Sequence, residues 1–246
     1  MIKCACAAIS GASRGAQASF FWWFSWRGKA IGMMWWRDLS LMGSLVVTGP
    51  IGIAIAVWLL AGRSWRLTLS WCALFGAGMA VVVLTKIVFI GWGVGVESIE
   101  FAGISGHAMR AAAVFPVAFY LGFRRAGARA GLWGALAGAA VAVLISISRV
   151  HVHAHSVSEA VTGTLLGLMV AAAFIWHAST EHHLAISRVL LALCIPVLLI
   201  APRVEPAPTE QWMTQLALLV SGHDEPFTRR QWHTPPARNT VRPAPI

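Results

Sequence analysis

Residues 67–92 read LTLSWCALFGAGMAVVVLTKIVFIGW, an apolar run broken by a single charged side chain, Lys86. A helix needs about 20 such residues to cross the hydrocarbon core of a bilayer, and this stretch is longer than that. Five more runs have the same character, near 40–62, 107–123, 130–148, 157–178 and 185–201, with short polar breaks at 62–66, 124–129 and 179–183. The expected fold is all-α: a polytopic membrane protein with six transmembrane helices and its active site at one membrane face. Composition agrees. Of 246 residues 58% are hydrophobic and 11% charged, with a mean hydropathy of +0.71, against about 45–50% and about 25% in soluble domains. A water-soluble, disordered or fibrous chain is thereby excluded.

The organisation reads as a leader at 1–38, a six-helix membrane domain at 39–201 and a polar, Pro-rich C-terminal tail at 202–246. Met33 or Met34 is the expected start of translation. The tail is expected at the surface, with 211–220 as an interfacial helix. Trp35, Trp36, Trp58, Trp65, Trp92, Trp133 and Trp176 fall near the ends of the predicted spans, where amphipathic rings prefer to sit. Cys4, Cys6, Cys72 and Cys194 are scattered and read as ordinary thiols.

The net charge is +10. No basic stripe with interleaved aromatics lies on a polar segment, so no nucleic-acid partner is expected. Arginines in the short loops of a membrane protein set topology instead. Arg63, Arg66, Arg124, Arg125, Arg129 and Arg188 fall on one side, and Arg27, Lys29, Arg37 and Arg203 on the other. This bias puts the first side in the cytoplasm.

Ionisable groups at membrane depth are costly and mark functional sites. Lys86 lies near the end of the second span, His107 and Arg110 open the third, Arg149 closes the fourth, and His155 and Glu159 open the fifth. Antiparallel threading brings all of these ends to one membrane face. Gly103-Ile-Ser-Gly-His107 sits at a loop-to-helix junction, where free N–H groups and the helix dipole favour an anion. His155 and Glu159 are one helical turn apart. A carboxylate so placed holds one imidazole nitrogen protonated and leaves the other as nucleophile or base. Lys86 and Arg149 offer the positive charge a phosphoryl group requires. Glu159 is also the last residue of a Ser156-Val-Ser-Glu capping box, a role compatible with the first.

Lys86, Ser105-Gly106-His107 and Ser148-Arg149-(five residues)-His155-(three residues)-Glu159 resemble the three signature motifs of the type-2 phosphatidic acid phosphatase superfamily. The resemblance covers about 86–165, and the six-helix layout extends it. It implies a membrane lipid phosphatase that works through a phosphohistidine without a metal. By position, His155 would be the nucleophile, Glu159 its orienting partner, and His107 the acid for the leaving oxygen. Lys86, Arg149, Ser105 and the Gly106 N–H would bind phosphate oxygens. The substrate implied is a membrane lipid phosphate or diphosphate, and the location a bacterial inner membrane with the site facing the periplasm.

Three positions depart from the pattern. Gly93 and Val94 stand where the first motif ends in Arg-Pro, Ile104 where the second begins with proline, and Glu159 where the third ends in aspartate. Arg110, one turn beyond His107, is the expected stand-in for the lost arginine. His151, His153 and His155 alternate, but no Cys or carboxylate pattern accompanies them, so no metal is expected; nor is any cofactor. Two alternatives compete: a rhomboid-type serine protease using Ser105 with His155, and a non-catalytic phospholipid-binding or transport member.

Overall fold

The computed structural model describes residues 35–181 and 209–232. The expected start at Met33 or Met34 and the predicted span at 185–201 lie outside the described residues. A helical stretch at 35–42 leads into α1 (Leu45–Ala61), followed by α2 (Trp65–Trp92), α3 (Gly106–Phe123), α4 (Ala128–His151) and α5 (Val157–Thr180). A final helix, α6 (Thr209–Ser221), precedes a 3-10 turn at Arg229–Trp232. The described residues contain no strand, only an isolated bridge between Val96 and Phe101.

Among the described residues four helices are long and apolar enough to cross a membrane: Trp35–Ala61, Trp65–Trp92, Ala128–His151 and Val157–Thr180. The six-span expectation is therefore met at four positions among the described residues. Helix α3 is shorter, at 18 residues, and carries His107 and Arg110, which dilute its hydropathy. It is instead the bundle's centre, packed against α1, α2, α4 and α5.

Small residues let α3 be enclosed so closely. Gly134 and Gly138 of α4 and Gly163 and Gly167 of α5 each repeat at four-residue spacing, so each pair lies on one helix face. A Cβ on Gly138 would stand 2.5 Å from the Phe115 carbonyl oxygen, and one on Gly163 would stand 2.5 Å from that of Ser105. Where lipid surrounds the helices, such backbone approach supplies the packing energy that water supplies elsewhere. Large side chains fill the wider part of the core. Trp71 packs edge-on to Phe174 with ring centroids 5.4 Å apart, and its indole N–H donates to the Gly52 carbonyl at 3.0 Å. Leucines such as Leu84, Leu132 and Leu165 point outward, as lipid permits.

The tryptophans divide. Trp65, Trp92, Trp133 and Trp176 are exposed near helix ends, whereas Trp58 is buried in the core. Arg124, read as a topology determinant, also closes α5: its guanidinium donates to the carbonyls of Ala178 (2.8 Å) and Glu181 (2.9 Å). It thus satisfies carbonyls that a helix end leaves open.

Candidate active site

Two helix starts position the site. Helix α3 begins at Ser105, whose hydroxyl accepts from the Ala108 N–H at 3.5 Å. The loop before it turns at Gly103 (φ +117), and the stem of Lys86 lies so close there that a Cβ would meet its Cγ at 3.1 Å. Helix α5 begins with a full capping box: Ser156 Oγ accepts from the Glu159 N–H, and the Glu159 carboxylate accepts from the Ser156 N–H. The main chain also ties the two starts together, the Ser105 N–H donating to the Glu159 carbonyl at 3.1 Å.

The Glu159 carboxylate is 2% exposed and fully engaged. Its Oε1 accepts from the Ala102 N–H at 2.8 Å. Its Oε2 lies 2.8 Å from His155 Nδ1 and 2.6 Å from Arg229 Nη2. An ionised carboxylate only accepts, so His155 carries its proton on Nδ1 and Nε2 is left unprotonated. Burial holds the His155 imidazole below its ordinary pKa range. Lys86 and Arg149 push the same way, and the hydrogen bond from Glu159 pulls against them. The neutral imidazole is therefore the favoured form at neutral pH. Capping and orienting, read as compatible roles for Glu159 in the sequence, coexist on one side chain.

His155 opens onto a cavity of about 650 Å³ that it shares with Lys86, Gly106, His107, Arg110 and Arg149. Arg149 Nη1 donates to Ser40 Oγ at 2.7 Å and Arg110 Nη2 to the Gly43 carbonyl at 3.4 Å. Yet the Nε atoms of both arginines are buried without a hydrogen-bond partner. Lys86 makes no hydrogen bond or ion pair among the described residues. Glu210 is the carboxylate that shares this lining, and buried donors of like charge, so crowded, suit in addition an anion bearing several acceptor oxygens. The same cavity is also lined by the apolar side chains of Leu41, Leu45, Met79, Val82 and Leu216. The lining thus offers both positive charge for an anionic head and apolar surface for a hydrocarbon chain.

His107 has a defined tautomer. Arg110 Nη2 is 3.5 Å from His107 Nδ1, and a guanidinium can only donate. Nδ1 therefore accepts, and the proton of the neutral ring is on Nε2.

Seven of the eight predicted site residues line this cavity or the smaller one of about 220 Å³ beside it, which holds Glu159 and Arg229. Ser105 does neither. It is fully buried with its hydroxyl committed to the helix cap, which leaves the serine-protease alternative without an accessible nucleophile. His151 stacks on Trp36 at 4.5 Å. Sequence reasoning missed Ser40 and Ser44, contributed from before α1, and Glu210 and Arg229, contributed from the tail. Hydroxyls in an apolar run and polar residues in a Pro-rich tail carry no local signal of a site.

The model of the PAP2 superfamily matches residues 89–183, a stretch that holds His107, Arg149, His155 and Glu159. An uncharacterized 22.5 kDa protein in the cps region of Klebsiella pneumoniae is 31% identical over 204 residues, covering 80% of this chain and 97% of that protein. The chain belongs to the PAP2 superfamily. Phosphatase-type activity is what this membership supports, and the apolar helices make it a membrane protein. No solved structure matches the chain. The PAP2 match begins after Lys86 and ends before the tail, and it spans the second and third motifs.

Proposed function

We propose that this PAP2 protein is a membrane-embedded phosphatase that hydrolyses a lipid phosphate or diphosphate through a phosphohistidine on His155. One observation carries the reading. The Glu159-paired His155 faces a cavity lined both by Lys86, Arg110 and Arg149 and by apolar side chains.

In this reading the phosphoryl oxygens take up the open donors of the three cations together with the Gly106 N–H. His155 Nε2 attacks phosphorus in line, the N–P bond forming as the P–O bond to the lipid breaks. Glu159 holds Nδ1–H and stabilises the positive charge that the ring acquires. Arg110, drawn onto the phosphate, leaves His107 Nδ1 free to protonate, and His107 then delivers a proton to the leaving oxygen. Water attacks the phosphohistidine, His107 accepts its proton, and phosphate departs. The charge that develops on the equatorial oxygens is met by fixed side chains, so the scheme calls on no metal.

The site is assigned to the periplasmic face of a bacterial inner membrane. Arg63, Arg66, Arg124, Arg125 and Arg129 gather in the loops at the far end of the helices, which favours that end in the cytoplasm. A topology reporter fused after Ile246 should be active only outside the cytoplasm; cytoplasmic activity refutes this orientation.

The deciding experiment is phosphate release by detergent-purified protein from phosphatidic acid, phosphatidylglycerol phosphate and undecaprenyl diphosphate, with excess chelator, beside His155→Ala. Release that survives chelation and is lost in the variant supports the reading. No release from any of the three refutes it and favours a binding member.

A further inference from the structure

The C-terminal segment lies in a seat built from alternate glycines at the end of α2. Gly93 adopts φ +70, and a Cβ there would stand 2.6 Å from the Phe227 ring. A Cβ on Gly95 would meet Trp232 at 2.7 Å, and one on Gly91 would meet Ser221 at 3.1 Å. Main-chain and ring contacts hold the segment down. The Phe227 N–H donates to the Ile90 carbonyl at 2.9 Å, and His223 Nδ1 to that of Gly91 at 2.8 Å. Trp232 packs edge-on to Phe89 at 5.2 Å. A side chain at 93 would need both a left-handed backbone and a shift of the Phe227 ring, so the segment packs directly on the position where the family pattern puts an arginine. The same segment brings in Arg229, whose Nη2 is 2.6 Å from Glu159 Oε2.

We infer that Arg229 is a positioning residue of this active site, delivered by the C-terminal segment to compensate the Glu159 carboxylate and so keep His155 neutral and oriented. The inference rests on the phosphatase reading for its purpose, and on the geometry alone for its physical effect. A buried carboxylate whose strongest partner is a histidine draws a proton onto that histidine, and an imidazolium is no nucleophile. A permanent cation on the same oxygen removes part of that pull while leaving the Nδ1–H contact intact. Arg229 is 38% exposed and does not line the large cavity, so it acts through Glu159 and not on the bound phosphate.

The groups facing His155 are Lys86 from α2, His107 and Arg110 from α3, Arg149 from α4, Glu159 from α5, and Glu210 of α6. Of these, Glu159 alone touches both His155 and Arg229. The experiment is an NMR titration of ¹³C-histidine-labelled protein in detergent micelles, with the His155 resonance assigned by its loss in His155→Ala. In Arg229→Ala, His155 should titrate about one pH unit higher than in the wild type. Arg229→Lys should restore most of the difference, and Phe227→Ala should move it in the same direction as Arg229→Ala. Where phosphatidic acid is turned over, the acid limb of kcat should follow, with a roughly 10-fold loss of kcat on its slope per unit and KM unchanged. An unmoved His155 titration in Arg229→Ala overturns the inference, and an unmoved one in Phe227→Ala overturns the seat's part in it. Absent turnover by the wild type refutes the phosphatase reading, while the titration still decides the role of Arg229.

Discussion

Replacing Glu159 by glutamine separates the orienting role of this residue from its capping role. Glutamine keeps the length, and with its amide oxygen at the Oε2 position it still accepts from the Ser156 N–H that the carboxylate serves at 3.4 Å, while its NH2 then faces the Ala102 N–H that Oε1 serves at 2.8 Å. The charge facing His155 is lost. As Nε2 bonds to phosphorus the ring becomes cationic, with its centre about 4 Å from the carboxylate; at an effective dielectric near 20 that attraction is worth about 4 kcal/mol. Since about 1.4 kcal/mol corresponds to one decade in rate, kcat should fall about 10³-fold. Folding should suffer less than catalysis, by about 1–3 kcal/mol for the Ala102 N–H left without an acceptor, read as several degrees in Tm. The assay is phosphate release from phosphatidic acid micelles under saturating conditions, beside a thermal melt of the same preparation. A kcat within about 3-fold of wild type would refute the orienting role. So would a fall in kcat matched by gross loss of the folded state.

Three further outcomes follow from the same geometry. Arg110→Ala and Arg149→Ala should each weaken binding of orthovanadate, a phosphate mimic, by at least about 10-fold, as expected for loss of a charge-assisted contact; if Arg110→Ala binds normally while Arg149→Ala does not, Arg110 is no phosphate ligand. The acid limb of kcat/KM should lie below pH 6.5, because protonation removes the nucleophile and burial holds the His155 pKa down. By linkage, the unfolded chain takes up that proton first, so His155 costs stability progressively as pH falls below about 6.5; a limb above 7 contradicts this. Gly167→Leu should destabilise the bundle by about 3 kcal/mol, since a Cβ there already collides with the Met109 carbonyl. An unchanged thermal melt would show that α3 and α5 are less tightly joined than the helix contact implies.

The parts of this site that were legible in the sequence share a physical property: their positions follow from helix geometry and alternation of direction. Lys86, His107, Arg149 and His155 are each within a few residues of a span end, and antiparallel threading of apolar helices leaves little freedom about which face those ends reach. Glu159 was legible one step further, because a four-residue spacing puts it on the face of His155. Where local periodicity competed with tertiary contact, the reading lost detail. Ser105 carries a motif hydroxyl, yet the strongest demand at that position is an open N–H of α3, and the hydroxyl answers it. Helix α3 reads as one more span, and its histidine and arginine are tolerated because the surrounding helices enclose it.

The contribution of the tail was illegible for a different reason. Arg229 and Glu159 are 70 residues apart in sequence, and nothing periodic connects them. A Pro-rich polar stretch has the composition of a solvated surface, and 209–232 does expose much of its length, including Trp212 and Leu219. A signal was nevertheless present, at the other end of the contact. Gly91-Trp-Gly93-Val-Gly95 gives up three side chains at the end of a long helix, directly after a lysine that needs neighbours to form a phosphate site. Of the three, Gly91 alone lies inside the helix, where glycine costs about 0.5–1 kcal/mol relative to alanine; Gly93 caps it at φ +70, a left-handed position that favours glycine, and Gly95 lies beyond it. Phe227 and Trp232 are what pack there. The absence of the expected arginine at 93 and the presence of glycine are therefore one fact: the side chain was removed at the position where another part of the chain had to come close.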